Sequence, residues 1–319
     1  MPLKQEIIDA LKNSTPDGNI EFDIDKYNIS DLCEKDTTGA DAAYIAAKNG
    51  NVVALGQIIN KIRSQPEEQA TTASLWHLLT DKDINGKIIL HTAVMTPNND
   101  LCIKALLGLV AELTAGNRKT KLAAIRDYLN LPDSAFGSTA LHFASQRLNL
   151  QNMMSLKNAG ASYHVASTPL HPDAAAPKKP WELVLFETTN LDEHAKCLQF
   201  YATWMYQEHD KESLGAMKTQ LREKLPQARK LIQNNPSDTR AQQSYFDLRA
   251  KYMDILNIHV DWRRIVWGGD KPTISAIEEN NVHNAFMQTM GLQEPSASAT
   301  PSTDTIKSGS ESQIKPSGL

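Results

Sequence analysis

Disulfides, a leader and a membrane span are all missing from what this sequence offers. Only three cysteines occur, Cys33, Cys102 and Cys197, far apart and without a C-x-x-C pair. So sparse and odd a count builds no disulfide framework and fits a reducing compartment. Lys4, Glu6 and Asp9 break up the first ten residues, leaving no apolar stretch for a signal peptide. No uninterrupted apolar run approaches the ~18 residues that a membrane span needs. The expectation is a soluble chain working in a cytosol. Aromatic residues make up 6%, too few for a large all-β sandwich, whose strands lean on them. A surplus of one charge is missing as well: 33 Lys and Arg face 37 Asp and Glu, for a net −4. That balance argues against an overall nucleic-acid footprint, which needs a strongly basic domain.

Catalytic signatures are equally scarce. There is no G-x-S-x-G elbow, no Gly-rich phosphate loop, no H-E-x-x-H and no paired-cysteine metal site. Gly268-Gly269-Asp270-Lys271 lacks the spacing to cradle phosphates and reads as a turn. Neither a cofactor nor a metal is expected.

What is present is a repeat. The 319 residues allow roughly two domains of ~100–200 residues each. One segment runs from Asp36 through Gly39, Ala43-Tyr44 and Ala46-Ala47 to Gly50. A second runs from Asp83 through Gly86 and Leu90-His91 to Ala93. A third holds Gly137, Leu141-His142 and Ala144, and closes at Gly160-Ala161. Asp-x-x-Gly is turn chemistry, with glycine free to take a positive φ at the tip. The alanines let neighbouring helices approach. Gly50 and Gly160 are placed to end helices in the left-handed conformation. The run Leu101–Leu113 is too apolar to stand alone and needs neighbours on more than one side.

These segments resemble the ankyrin repeat, D-x-x-G-x-T-P-L-H-x-A-A-x-x-G with a closing Gly-Ala pair. The third copy keeps the family distance of 23 residues from Gly137 to Gly160. The spacing between copies is wider than the family period of about 33 residues. Gly39 to Gly86 is 47 residues and Gly86 to Gly137 is 51. Helical patterns at Thr71–Thr80 and Lys119–Leu129 fill the surplus as inserted helices. The third copy also carries Leu148 where a glycine is expected after its inner helix. Thr168-Pro169-Leu170-His171 looks like a fourth start, but Pro172 and Pro177 forbid the helix that must follow. The fourth inner helix is therefore placed at about Trp181–Phe186 and its outer partner at about Leu191–Gln207.

The fold expected is mainly α. Residues 1–34 cap an irregular ankyrin-repeat solenoid at 35–209, built of helix-turn-helix repeats with short hairpin fingers and inserted helices. A C-terminal helical domain follows at 210–291, then a disordered tail at 292–319. In the C-terminal domain, helical patterns cover Lys211–Gln233, Asp238–Ile258 and Ile274–Met290, with Tyr245, Leu248, Tyr252, Ile255 and Leu256 on one face. The tail is rich in Ser, Thr, Pro and Gly, a disorder composition.

Ankyrin repeats bind partners and rarely do chemistry, so the resemblance implies a non-enzymatic protein-interaction module. Family contact positions carried onto this chain are Thr37, Thr38, Ala40, Lys48 and Asn49 in the first copy. The second gives Ile84, Asn85, Lys87, Met95 and Thr96; the third gives Ala135, Phe136, Ser138, Gln146 and Arg147. Phe136 either stands out at a tip beside Arg147, as an interface hot spot would, or folds back against Leu131. His91 and His142 take the position where the family's histidine braces neighbouring repeats. The polar tail and irregular repeats also resemble ankyrin-bearing effectors that intracellular bacteria export, which implies a partner protein from a eukaryotic host and a site of action in its cytosol.

Two other readings stay open. In the first, the repeats recruit a substrate and the C-terminal helices act on it, with His194 and Cys197, three apart on one helix, as base and thiol. In the second, the basic stretch 211–271 docks on anionic membrane or nucleic acid. That stretch carries 12 Lys and Arg against 7 Asp and Glu, led by Arg222, Lys224, Arg229, Lys230, Arg249, Lys251, Arg263 and Arg264. Both are set against a bland alternative, buried core residues for the pair and solvated helix faces for the charges.

Overall fold

The computed structural model describes residues 5–13, 22–65, 68–168, 177–186, 191–243, 245–250, 252–253, 255, 274–290 and 292. Among these the chain is mainly α-helical, and no strand forms. The N-terminal helix α1 (Gln5–Asn13) is followed by a 3₁₀ turn at Ile24–Lys26 and a short α2 (Ile29–Cys33). Four helix pairs then succeed one another: α3 (Ala42–Lys48) with α4 (Val52–Arg63), α6 (Ile89–Met95) with α7 (Asp100–Leu113), α9 (Ala140–Gln146) with α10 (Leu150–Ala159), and α11 (Pro180–Phe186) with α12 (Leu191–Gln207). The extra helices α5 (Glu68–Thr80) and α8 (Arg118–Leu129) follow the first and second pairs.

The short helices α3, α6, α9 and α11 lie side by side in that order, and α4, α7, α10 and α12 form a second row behind them. Small residues make the first row possible. Ala42, Ala43, Ala46, Ala47, Ala93, Ala140 and Ala144 are all buried, so adjacent backbones meet without side chains holding them apart. In the second row α7 touches α4, α6, α8 and α10 as well as α5. Its Cys102, Ile103, Leu106, Leu107, Leu109 and Val110 are buried accordingly, which accounts for a helix apolar on nearly every side. At one end α1 rests on α3, and at the other α13 (Lys211–Asn234) rests on α11 and α12.

Local signals set the boundaries. Asp41, Asn51, Asn117, Asn149 and Asp210 each accept a backbone N–H of the first turn of the following helix, satisfying a donor that has no partner inside the helix. Gly160 ends α10 at φ +98°, a left-handed cap. Three of the first-row helices, α3, α6 and α9, leave through a left-handed bend, taken by Gly50 at φ +73°, Asn98 at +54° and Leu148 at +53°. Leu148 is nonetheless buried, 4% exposed, so its side chain fills the core from a backbone that glycine would adopt more easily.

Beyond α13, residues 239–243 and 245–250 are helical, and α14 (Ile274–Met290) follows. Tyr245, Tyr252 and Ile255 are buried on the expected face; Leu256 lies outside the described residues. Polar contacts join the three segments: Arg229 to Glu279 and Tyr245, Tyr245 to His283 Nδ1 at 2.8 Å, and Arg249 to Asn280. Two cations of the basic stretch are thus spent holding helices together. Arg263, Arg264 and the glycine turn at 268–269 lie outside the described residues, as do the Pro169-Leu170-His171 segment and the tail from 293 onward.

Candidate functional site

The turns that precede the first-row helices carry most of the expected contact residues, and a carboxylate builds each turn. Asp36 accepts the backbone N–H groups of Thr38 and Ala40 at 2.7 and 2.9 Å, while its own N–H donates to the Ala40 carbonyl. Asp83 does the same with Asn85 and Lys87 at 2.9 and 2.8 Å. Asp133 closes the third turn by accepting from Ser138 at 2.6 Å and Phe136 at 3.2 Å. Burial works against the charge on Asp36, but the hydrogen bonds from Thr38 and Ala40 and the Lys48 ammonium outweigh it and hold the carboxyl below its usual range.

Single backbone bonds join successive turns: Ile84 N–H to Thr38 C=O at 2.9 Å, and Ser134 N–H to Gly86 C=O at 3.1 Å. A fourth base follows in the series, where Ser167 N–H donates to Lys178 C=O at 2.8 Å just before α11. Gly86 is confined here. A Cβ on it would come within 2.2 Å of the Ser134 Cβ.

Between the turns and the first row runs an open cleft of about 1080 Å³. Thr37, Thr38, Lys48, Asn49, Asn85, Lys87, Met95 and Arg147 line it, together with Ala40 and Thr96. Residues from three successive units therefore share one concavity. Ile84, Phe136, Ser138 and Gln146 do not line it. Ile84 and Phe136 instead stand out from the turns, 71% and 60% exposed. The Phe136 ring is thus not folded back against Leu131. On the cleft floor the Tyr44 hydroxyl donates to Asp83 at 2.7 Å and accepts from Thr92. The lining mixes charged and polar side chains with apolar surface from Ile8, Ala40, Ile45 and Met95.

Both Leu-His histidines are committed to structure. His91 Nδ1 accepts the Ile88 N–H at 3.3 Å and His142 Nδ1 accepts the Thr139 N–H at 3.0 Å. Each ring's proton is therefore on Nε2, which faces a carbonyl of the next unit: Leu131 for His91 and Lys178 for His142, both at 2.9 Å. Burial pushes His91 down to about 4 and lowers His142 as well. The thiol considered as a nucleophile is in the wrong surroundings for one. Cys197 is fully buried, and burial, then the Glu193 carboxylate, push it up to about 12. A reactive cysteine needs the opposite shift. His194 is buried on the same helix. Tyr201 stacks on Trp204 in the interior and the half-buried Phe200 meets both edge-on, as a packed helix face rather than an open aromatic box.

Sequence reasoning missed three contributors. Asp133 escaped because its turn holds one residue more than the other two. The asparagines that open the second-row helices were not singled out. Asn99 also donates to the carbonyls of Ala47 and Ala93 at 2.8 and 2.9 Å, and Asn149 and Asn152 reach Thr96 C=O from the next unit. Their recurrence at 51, 99 and 149 was the available signal. Helix α1 was read as a cap alone, yet Gln5, Ile8 and Lys12 form one wall of the cleft. Comparison with known proteins gave no matching family model and no matching curated sequence.

Proposed function

We propose that residues 35–209 are an irregular ankyrin-type solenoid and that this chain is an interaction module, binding a partner protein on the concave side. Support for the fold comes from four helix pairs in two rows, with carboxylate-built turns joined one to the next and a histidine from two of the units reaching into the following one. The observation that carries the binding reading is the cleft of about 1080 Å³, which gathers side chains from three units and α1 beneath two exposed apolar tips. Large hydrophobics held out in water at Ile84 and Phe136 cost solvation unless something covers them. An aromatic and an arginine are the residue types that dominate interface energetics. The resemblance to exported effectors points to a eukaryotic protein as that partner.

The test is affinity capture from eukaryotic lysate with the intact chain and with a Phe136→Ala/Arg147→Glu variant of matched circular dichroism and melting temperature. A protein retained by the first and lost by the second supports the reading. Identical capture by both, or none by either, removes it.

A further inference from the structure

The same cleft has an uneven charge. Four cationic side chains line it, Lys12 from α1, Lys48 from the end of α3, Lys87 from the second turn and Arg147 from the end of α9. Only two carboxylates share the lining, Asp36 and Asp83. Both are hydrogen-bonded: Asp36 through Oδ1 to the amides of its own turn, Asp83 to its turn amides on one oxygen and the Tyr44 hydroxyl on the other. The cations are less engaged, although the Lys48 ammonium acts on Asp36 through space. No ion pair or hydrogen bond engages the side chains of Lys12, Lys48 or Arg147 among the described residues, and the Lys87 ammonium lies over the Phe143 ring at 5.1 Å. Elsewhere some cations are paired, as Lys35 is with Asp81, Arg63 with Glu112 and Lys104 with Asp100; what sets the cleft apart is that four cations gather in one concavity.

We infer that the occupant of this cleft is an acidic peptide segment, one that presents several Asp or Glu carboxylates along a short stretch. The inference rests on the interaction reading above and names the chemistry of its partner. Four cations against two carboxylates leave the trough net positive where a ligand would lie, and a concave low-dielectric wall focuses that field. Arg147 adds a planar fork that takes a carboxylate through two parallel bonds. An open trough with cations spread from α1 to α9 suits an extended length of chain rather than a compact molecule.

Fluorescence anisotropy of the full chain with three dye-labelled twelve-residue peptides tests it. One peptide alternates Glu with Ala and Gly, and in the others Gln or Lys replaces every Glu. The expected result is binding of the Glu peptide at least tenfold tighter than the Gln peptide, with none of the Lys peptide. Raising salt from 50 to 500 mM, about a threefold shortening of the screening length, weakens it several-fold. Lys48→Glu/Arg147→Glu loses at least tenfold, whereas Lys119→Glu, an exposed change on α8 outside the cleft, does not. Equal binding of Glu and Gln peptides, no binding of either, or an equal loss in Lys119→Glu overturns the inference. Failure here is separable from failure of the interaction reading. A protein still captured in a Phe136-dependent way, indifferent to Lys48→Glu and to salt, leaves that reading standing and removes the acidic segment.

Discussion

His91 donates its Nε2–H to the carbonyl of Leu131, forty residues further along, and so ties the start of α6 to the chain entering the next turn. Only the neutral ring can do this while Nδ1 accepts from Ile88. In the unfolded chain the ring ionises near 6.5, in the folded protein near 4. Between those values the unfolded state holds more protons, so stability rises with pH through the window and is lost as pH falls. The full term is about 3 kcal/mol. Asp41, pushed up to about 6 by burial, acts in the opposite sense over part of the same range. The informative quantity is therefore the difference between the wild type and His91→Gln, measured by urea unfolding from pH 4 to 7. The wild type should hold its advantage at pH 7 and surrender it toward pH 4. A constant difference would remove this role for the ring.

Two glycines should respond to alanine in opposite directions. Gly86→Ala drives a Cβ into Ser134 from a φ of +73°, and a loss of about 1–3 kcal/mol is expected. Gly56→Ala lies within α4 with nothing inside 4 Å of the new methyl and should gain about 0.5–1 kcal/mol. Paired denaturant midpoints decide. Equal responses would mean that the second and third turns do not meet as described.

Thiol accessibility should be graded. Cys33 is exposed, while Cys102 and Cys197 are buried with thiols pushed up to about 12. A disulfide reagent at pH 8 should modify one cysteine in the folded protein and all three in urea. Rapid native modification of Cys197 near neutral pH would reopen the nucleophile reading.

Asn99→Ala should cost about 1–2 kcal/mol, since it removes the amide that bridges the Ala47 and Ala93 carbonyls, each of which keeps one backbone N–H donor. Asn99→Asp should be no better, because a carboxylate supplies no N–H. Recovery of wild-type melting in either variant would show that the amide is not the link between units.

Much of the helix order was legible because it follows from local chemistry. Leu191–Gln207 and Ile274–Met290 coincide with their hydrophobic periods, and α5 and α8 begin only three residues and one residue earlier than their patterns suggested. The helix at Trp181 was legible for the same reason, while the prolines at 169 and 172 lie outside the described residues. The site was legible in part. Positions carried over from the resemblance found ten of the cleft's residues, but a linear pattern carries no information on what faces them across space. Lys12 could be assigned to the cleft only once α1 was seen against α3. Phe136 could be assigned to solvent only once the longer third turn had set its direction.

Leu148 gives the array a small history. In a left-handed bend a leucine costs about 1–2 kcal/mol that glycine would not, yet burying its side chain returns about 2–3 kcal/mol. Once neighbours have grown around the isobutyl group, reversion to glycine opens a void before it relieves the bend. The third unit is therefore locked out of its most economical backbone residue, and an irregularity of this sort persists because each exit from it leads uphill.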